Sequence, residues 1–295
     1  MLVLYSSDAR PRYVSDIATA LAVPAGARFQ FRYQSRYLSP EVQRMLGENS
    51  LTNVTALVCF IGNRNKATGE EFLLPVRLAK VCAVEKIGDA YVFNMQATEY
   101  PDLGRWPRTG AEIVRHGAQV VSEIVANNHN EYYAVNWDSS GSLATKSISG
   151  NEGWSGVAER VLQLSTFSSS YLLRLELADS AGSPMQISAD DSGWLEFDPR
   201  RSYRVRVWFY GNSVDFGNRT ITLETDGEVL SSISDQKYVV RSRYDQVDFW
   251  FTPKTADQSK RTLLRLVSSP ADPSDSADIA TEVELRCLVV RPLAP

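Results

Sequence analysis

Apolar and polar residues alternate in two different ways along the chain, and the pattern changes near residue 130. Before that point a two-residue period at 28–33 and a continuous apolar run at 55–61 are mixed with helical spacing at 12–22. After it, stretches with a two-residue period follow one another without a helical period between them. The pattern predicts an α+β fold that is mixed in its first part and built from β-strands in its second.

Residues with strong positional preferences mark the ends of several elements in the first part. Ser39-Pro40-Glu41 combines an N-cap serine, a proline at the first helical position and an acid in the first turn, and Gly47 supplies a stop. Residues 72–84 and 90–96 are predicted to be two long strands joined by a turn at 86–89. These features predict a short helix and, after it, a hairpin.

The patterns divide the chain into three segments. Residues 1–104 are predicted to form a mixed α/β domain, and residues 105–130 a connecting helix that opens with a capping box at 109–112. Residues 131–295 are predicted to form an antiparallel β-sandwich of the jelly-roll or immunoglobulin-like type, because turn-rich clusters separate their strands. We therefore expect two domains joined by one helix.

One strand of the second part shows the two-residue period clearly. Its positions alternate in the order Tyr203, Val205, Val207 and Phe209 against Arg204, Arg206 and Trp208. Trp208 and Trp250 both fall opposite the aliphatic faces of their strands, so we expect them to face a partner protein. Stacking on sugars, as in carbohydrate-binding jelly rolls, and cover by loops or by the first domain are the alternatives.

The charge is divided unevenly between the two parts. The 295 residues include 31 Lys and Arg against 35 Asp and Glu, for a net charge of −4. Residues 1–130 contain 14 basic and 12 acidic residues (net +2), and the remainder contains 17 and 23 (net −6). This balance argues against a polycation that coats nucleic acid or a membrane along its whole length, but a localised basic site fits the first part.

Few residues are available for catalysis or for metal binding. His116 and His129 are the only histidines, and neither lies in a zinc-binding or triad-like motif. Cys59, Cys82 and Cys287 each sit in an apolar run, as buried structural cysteines do. Phosphate-binding glycine motifs are missing. We expect no enzymatic activity, no cofactor and no metal; a hydrolase with an unrecognised acidic site has no positive support.

The beginning of the sequence and its apolar runs bear on localisation. Asp8 and Arg10 interrupt the chain before an apolar leader segment could form. The longest apolar runs have the length of strands and fall short of a membrane span. We therefore expect a cytoplasmic protein without a membrane partner.

The order of elements in residues 1–104 resembles the PUA-like superfamily, which includes the EVE, YTH and ASCH domains. The resemblance is carried by the strands at 29–33, 56–61 and 72–79 and by the turn at Gly88. It implies a small curved, barrel-like sheet that binds RNA or modified bases in a cleft beside the barrel. The chain lacks a clear aromatic cage for a methylated base, and another small α/β domain with an interrupted barrel would fit the same pattern.

Arginine and tyrosine residues are interleaved near the start of the chain, where they could pair with phosphates and stack on bases. A polar loop at 62–70 and an arginine within an apolar strand add to this group. The predicted binding residues are Arg10, Arg12, Tyr13, Arg32, Arg36, Tyr37, Arg64, Lys66 and Arg77. The alternatives are a solvated arginine surface and an ordinary solvated hairpin loop, whereas Arg77 must reach an acid, a carbonyl group or a ligand.

Together these features predict a recognition protein without catalytic activity. The first domain would bind nucleic acid or a nucleotide-like ligand, and the sandwich would dock a partner protein. The alternative is a scaffold subunit of a larger cytoplasmic assembly, in which the arginine-tyrosine cluster faces a protein surface.

Overall fold

The computed structural model describes residues 1–7, 11–65, 70–101, 134–136, 145–146, 171–185, 194–210, 219–242, 244–255, 257–270 and 281–291. The chain divides into two compact units. Residues 1–21 and 30–166 form the first unit, and residues 22–29 and 167–295 form the second.

The elements described up to residue 146 comprise two α-helices and eight strands. In chain order they are β1 (Leu2–Ser7), α1 (Pro11–Ala22), β2 (Arg28–Gln34), α2 (Pro40–Gly47), β3 (Thr55–Asn65), β4 (Glu70–Ile87), β5 (Ala90–Ala97), β6 (Tyr100–Pro101), β7 (Ala134–Asn136) and β8 (Thr145–Lys146). A 3-10 turn at Ser35–Tyr37 separates β2 from α2.

Six of these strands form one sheet in the order β2-β5-β4-β3-β1-β7. β1 and β3 are parallel neighbours, whereas β3–β4, β4–β5 and β1–β7 are antiparallel. The tight connection between β4 and β5 is the predicted turn, where Gly88 has a φ of +64° at the first of two turn residues. Glycine adopts this conformation without the steric penalty that a side chain brings.

Two local predictions in the first unit, one for α2 and one for β2, are confirmed in detail. Ser39 caps α2, because its Oγ accepts a hydrogen bond from the backbone N–H of Val42 at 3.3 Å. In β2 the odd-numbered residues from 29 to 33 are buried and the residues between them are exposed, as the alternation predicts. Local periodicity and capping chemistry are sufficient to determine both features.

β7 is a strand that the sequence does not predict in this sheet. It pairs with β1 from Leu2 opposite Asn136 to Leu4 opposite Ala134. The Ala134 carbonyl also accepts a hydrogen bond from the backbone N–H of Ser39 at 3.0 Å. The sequence predicts these residues as part of the sandwich because they follow residue 131, and a three-residue strand is too short to carry a recognisable period.

The hairpin formed by β3 and β4 is longer than the sequence predicts. β3 continues to Asn65 and β4 begins at Glu70, so strand pairing extends into the predicted loop at 62–70. The reason is that ladder hydrogen bonds join backbone groups and do not depend on side-chain polarity. A register shift between Gly62 and Asn65 accommodates this extension.

The elements described from residue 171 onward are all strands. They are β9 (Tyr171–Asp179), β10 (Leu195–Phe197), β11 (Tyr203–Tyr210), β12 (Arg219–Thr225), β13 (Leu230–Ser232), β14 (Lys237–Val239), β15 (Tyr244–Pro253), β16 (Lys260–Pro270) and β17 (Thr281–Val289). They form a five-stranded sheet in the order β10-β17-β16-β12-β14 and a four-stranded sheet in the order β13-β15-β11-β9.

The two sheets of the second unit pack face to face through aromatic side chains. The ring of Phe197 in β10 lies 4.7 Å from that of Tyr203 in β11 and 5.2 Å from that of Phe251 in β15, measured between centroids. The two-residue period places these rings inside and the polar residues of the same strands outside. One pairing departs from the predicted antiparallel arrangement, because β10 runs parallel to β17.

The coarse fold prediction is confirmed, since strands make up most of the described residues and helices only a few. The predicted connecting helix at 105–130 lies outside the described residues. Independent folding of segments 1–104 and 131–295 stays a prediction. Of the helices that the structure describes, none has the length and apolar character needed to cross a membrane.

Candidate docking face on the four-stranded sheet

The outward face of the four-stranded sheet carries two tryptophans among charged residues. The period that buries Val205 and Val207 directs their neighbours in β11 outward, and β9 and β15 behave in the same way. All members of this set are half-buried. We call them the Arg–Trp face: Arg174, Glu176, Arg204, Arg206, Trp208, Asp248 and Trp250.

Strand register arranges the Arg–Trp face in three rows, of which the middle row is an ion-pair network. Arg206 lies opposite Asp248 on one side and Glu176 on the other. Its Nε donates to Asp248 Oδ1 at 2.8 Å and its Nη2 to Asp248 Oδ2 at 2.9 Å. These hydrogen bonds raise the pKa of Arg206 and hold both side chains in a bidentate geometry.

One outer row centres on Trp208. Arg174 lies opposite it in β9 and Gln246 opposite it in β15. The guanidinium carbon of Arg174 lies 5.0 Å from the indole centroid, and that of Arg206 lies 5.8 Å from it. Cation–π contacts with two arginines restrict the orientation of the ring.

The other outer row contains Arg204, Trp250 and Ile233. Arg204 and Trp250 are opposite each other, with the guanidinium carbon 5.9 Å from the indole centroid. The backbone N–H of Ile233 donates to the Trp250 carbonyl at 2.9 Å, which continues the β13–β15 pairing by one residue. Ser234 Oγ accepts the N–H of Trp250 at 2.9 Å. The row therefore crosses β11 and β15 and ends just beyond β13.

Arg204 differs from Arg206 in the use of its donors. It is 16% exposed, and its nearest acidic oxygens are those of Glu176 at 3.5 Å and Asp248 at 3.8 Å. Among the residues that the structure describes, it donates no hydrogen bond, and its Nε is buried without an acceptor. The three arginines and two acids of the face sum to +1, in a half of the chain whose net charge is −6.

The predicted arginine-tyrosine cluster is only partly brought together. Arg32 is exposed on the face of β2 opposite its buried residues. The exposed Arg36 has its guanidinium carbon 4.8 Å from the centroid of the half-buried Tyr37. Tyr13 is half-buried in α1, where its carbonyl accepts a hydrogen bond from Ser6 Oγ at 3.0 Å.

Four other residues of the predicted cluster contribute little to this picture. Arg10 and Lys66 lie outside the described residues. Arg12 belongs to α1, and Arg64 belongs to β3 and not to a loop. The structure describes the backbone of these two residues and not the positions of their side chains.

Arg77 is buried inside the first unit, with 1% of its surface exposed. Its Nη1 donates to the Leu21 carbonyl at 3.4 Å and its Nη2 to the Thr98 carbonyl at 3.5 Å. The guanidinium carbon lies 3.9 Å from the ring centroid of Tyr100. Burial lowers the pKa of Arg77, and Tyr100 opposes this shift. The sequence allows an acid, a carbonyl group or a ligand as the partner of this arginine, and the structure places carbonyl groups beside it.

Sequence reasoning identified Trp208 and Trp250 but missed the residues that complete their face. Glu176, Asp248 and Ile233 have no motif of their own. The only local signal is a charged or aromatic residue at every second position of three strands, and strand register decides which of them meet.

Thiol and metal chemistry receive little support from the described residues. Cys59 and Cys287 are buried and Cys82 is half-buried, all as free thiols. Burial raises the pKa of Cys59 and of Cys287. Within the described part of the chain, no three His, Cys, Asp or Glu residues cluster as metal ligands would. Both histidines lie outside the described residues.

Comparisons with known proteins identify no family for this chain. No family model matches it, and no curated protein matches it. Among solved structures, the crystal structure of the C-terminal domain of wzt aligns with 43% of this chain and 75% of that chain, at 10% identity and a TM-score of 0.26. A likeness at that TM-score carries no argument about fold or function.

Proposed function

We propose that this protein is a non-enzymatic recognition protein whose second unit docks a partner protein through the Arg–Trp face. The observation that carries the proposal is the concentration of two tryptophans and three arginines on one outward sheet face. Tryptophan and arginine are the residues most enriched at binding hot spots. Their mutual packing supports the proposal further, because side chains already held in place lose less entropy when a partner binds.

The buried thiols support the non-enzymatic part of the proposal. Cys59 and Cys287 have raised pKa values, so both thiols stay protonated and are poor nucleophiles. Free buried thiols are also typical of proteins in a reducing compartment, which supports a cytoplasmic location.

The finer fold assignments belong to the same proposal. We propose that the first unit, a mixed sheet with α1 and α2 in chain order, is PUA-like. The two facing sheets of the second unit support a jelly-roll or immunoglobulin-like sandwich. In the alternative function, a scaffold subunit that binds no nucleic acid, this protein would dock its partner through the same Arg–Trp face.

Affinity capture with matched tryptophan variants tests the docking function. Trp208→Ser and Trp250→Ser alter the Arg–Trp face, whereas Trp194→Ser is the control. Trp194 is half-buried on the five-stranded sheet, and the guanidinium carbons of Arg261 and Arg286 lie 5.0 and 5.9 Å from its centroid. Proteins captured from a lysate of the source organism are quantified by mass spectrometry, and each candidate partner is purified and titrated.

A true partner binds the wild type and Trp194→Ser alike and loses about 2 kcal/mol or more, roughly thirtyfold in affinity, with either face variant. Equal binding to all four proteins would show that the Arg–Trp face docks nothing. An equal loss with Trp194→Ser would point to general destabilisation of the sandwich.

A second candidate function is polyanion binding by the first unit. The observation that favours it is the exposure of Arg32 and Arg36, together with the stacking of Arg36 on Tyr37. Arginine paired with an aromatic ring suits single-stranded nucleic acid, whose phosphates and bases it contacts together. The negative charge of Asp89 reduces the positive potential here. Its carboxylate lies beside Gln34, whose Nε2 donates to Asp89 Oδ2 at 3.1 Å.

A further inference from the structure

We infer that the partner places a carboxylate on Arg204 and an apolar side chain beside Ile233, so that the docked element is an acidic-apolar segment of a protein. This inference rests on the proposed docking function and adds the chemistry of the partner. It concerns Arg204 and Trp250 of the Arg–Trp face and Ile233, which lies beside Trp250 just beyond β13.

Arg204 has hydrogen-bond donors that no described residue accepts. A guanidinium offers five N–H donors in a planar fork, and a buried donor without an acceptor is unfavourable. Arg204 has 16% of its side chain exposed and no hydrogen bond to the described residues. Asp248 does not relieve it, because its Oδ2 lies 3.8 Å from Arg204 Nη1, beyond hydrogen-bond distance. A ligand acceptor would supply hydrogen bonds to its terminal nitrogens.

The local charge selects an anionic acceptor. The face carries one more positive than negative charge; its two acids lie opposite Arg206 and have their nearest oxygens 3.5 and 3.8 Å from Arg204. A carboxylate matches the guanidinium fork in two parallel hydrogen bonds, which a neutral carbonyl cannot form. Arg204 is therefore expected to bind a carboxylate through its terminal Nη1 and Nη2 groups, since its Nε is buried.

Ile233, at the apolar end of the row, favours an apolar side chain next to the partner's carboxylate. Ile233 is 60% exposed and lies beside Trp250. Neighbouring strands are about 4.8 Å apart, so Arg204 and Ile233, two strands apart, are separated by about 10 Å. An extended chain rises about 3.3 Å per residue and its side chains alternate between two sides, so an acid and an apolar residue two or four positions apart face the row together and match its length within about 4 Å.

A protein segment fits this row better than a nucleic acid does. A phosphate would satisfy Arg204 but would bring no aliphatic group to Ile233. Residues 131–295 have 17 basic and 23 acidic residues, and this net charge of −6 repels a long polyanion more than a single carboxylate. The two classes of ligand are separated by experiment.

The test uses the full chain and an array of labelled peptides. Each peptide contains glutamate and leucine separated by zero to four serines, and a matched set has glutamine in place of glutamate. A uridylate dodecamer represents nucleic acid. The variants are Arg204→Gln, Arg204→Lys and Ile233→Ser, and Lys237→Gln is the control that removes one cation from an exposed position of β14.

We expect the glutamate peptides to bind best at a separation of one or three serines, which puts both side chains on one side of an extended chain. They should bind about ten- to a hundredfold more tightly than their glutamine counterparts. Arg204→Gln removes that difference, and Arg204→Lys restores only part of it because the fork is lost. Ile233→Ser weakens binding about tenfold without lowering the melting temperature. Lys237→Gln binds like the wild type.

Three results would overturn the inference: no array peptide binding below about 1 mM, equal binding of the two peptide sets, or tighter binding of the dodecamer through Arg204. If any of these occurs while Trp208→Ser and Trp250→Ser still release a captured protein, docking stands and only the partner chemistry is wrong. If those variants release nothing, the proposed function itself fails.

Discussion

The guanidinium of Arg77 lies over the ring of Tyr100, and both side chains donate a hydrogen bond to the carbonyl of Leu21. Leu21 is in the last turn of α1, where carbonyl groups have no partner within the helix. The arginine and the tyrosine thus cap the helix from neighbouring strands and complement the negative end of its dipole.

Replacement of Arg77 by methionine removes this cap and keeps most of the side-chain volume. The carbonyls of Leu21 and Thr98 each lose a donor, and we expect the free energy of unfolding to fall by about 1–3 kcal/mol. Chemical denaturation monitored by circular dichroism measures this loss. Partner binding through the Arg–Trp face should not change, and a variant as stable as the wild type would contradict the capping role.

Two glycine-to-alanine substitutions should change stability in opposite directions. A Cβ has open space at both Gly88 and Gly47, so backbone conformation alone decides the outcome. Gly88 has a φ of +64°, and we expect Gly88→Ala to cost about 1–2 kcal/mol. Gly47 is the exposed last residue of α2, and Gly47→Ala should stabilise by about 0.4–1 kcal/mol. Thermal unfolding of both variants is the measurement, and changes of the same sign would refute the reasoning.

The stability contribution of Glu284 should depend on pH. Partial desolvation, followed by repulsion from Glu282, raises the pKa of Glu284 in the folded state, even though the side chain is exposed. A raised carboxyl pKa means that the protonated form stabilises the fold, and this contribution is lost as the pH rises through the raised value. Glu284→Gln should therefore raise the melting temperature relative to the wild type at about pH 8 and not at about pH 4.

The control for this pH dependence is Glu196→Gln, which removes the same charge from an exposed position of β10. A similar gain for Glu284→Gln and Glu196→Gln would assign the effect to net charge and not to the surroundings of Glu284.

Charge reversal at Arg32 and Arg36 tests the second candidate function. Both side chains are exposed, so the double change to glutamate should leave the melting temperature nearly unchanged. Binding to an RNA dodecamer should weaken, and the slope of log K against log salt should fall by about two units, one for each lost phosphate contact. Reversal of Arg44 and Lys86, which are exposed in the same unit, is the matched control. The candidate fails if the wild type does not bind RNA or if both pairs behave alike.

Chain truncation tests the contribution of β7. A fragment that ends at residue 104 lacks the strand that pairs with β1, whereas a fragment that ends at residue 150 retains it. We expect the longer fragment to unfold at a higher denaturant concentration, because the edge of β1 keeps its hydrogen-bond partners. Identical midpoints would show that β7 adds nothing to the first sheet.

The local features of this protein are predictable from its amino-acid sequence. The Ser39 cap depends on neighbours three residues away, and the alternation at 28–33 depends on the pleat of one strand. The same period was sufficient to place Arg204, Arg206 and Trp208 on one face of β11. Such features are predictable because the interacting groups are close in sequence and follow a fixed backbone period.

Which of these residues meet depends on the three-dimensional arrangement of the strands. Arg206 finds Asp248 42 positions away, and Arg77 finds the Leu21 carbonyl 56 positions away. Strand register and sheet order set these distances in space, and both depend on the packing of side chains contributed by remote segments. A shift of one residue in register would keep every local pattern of β11 and separate Arg206 from Asp248, because side chains alternate between the two faces of a sheet.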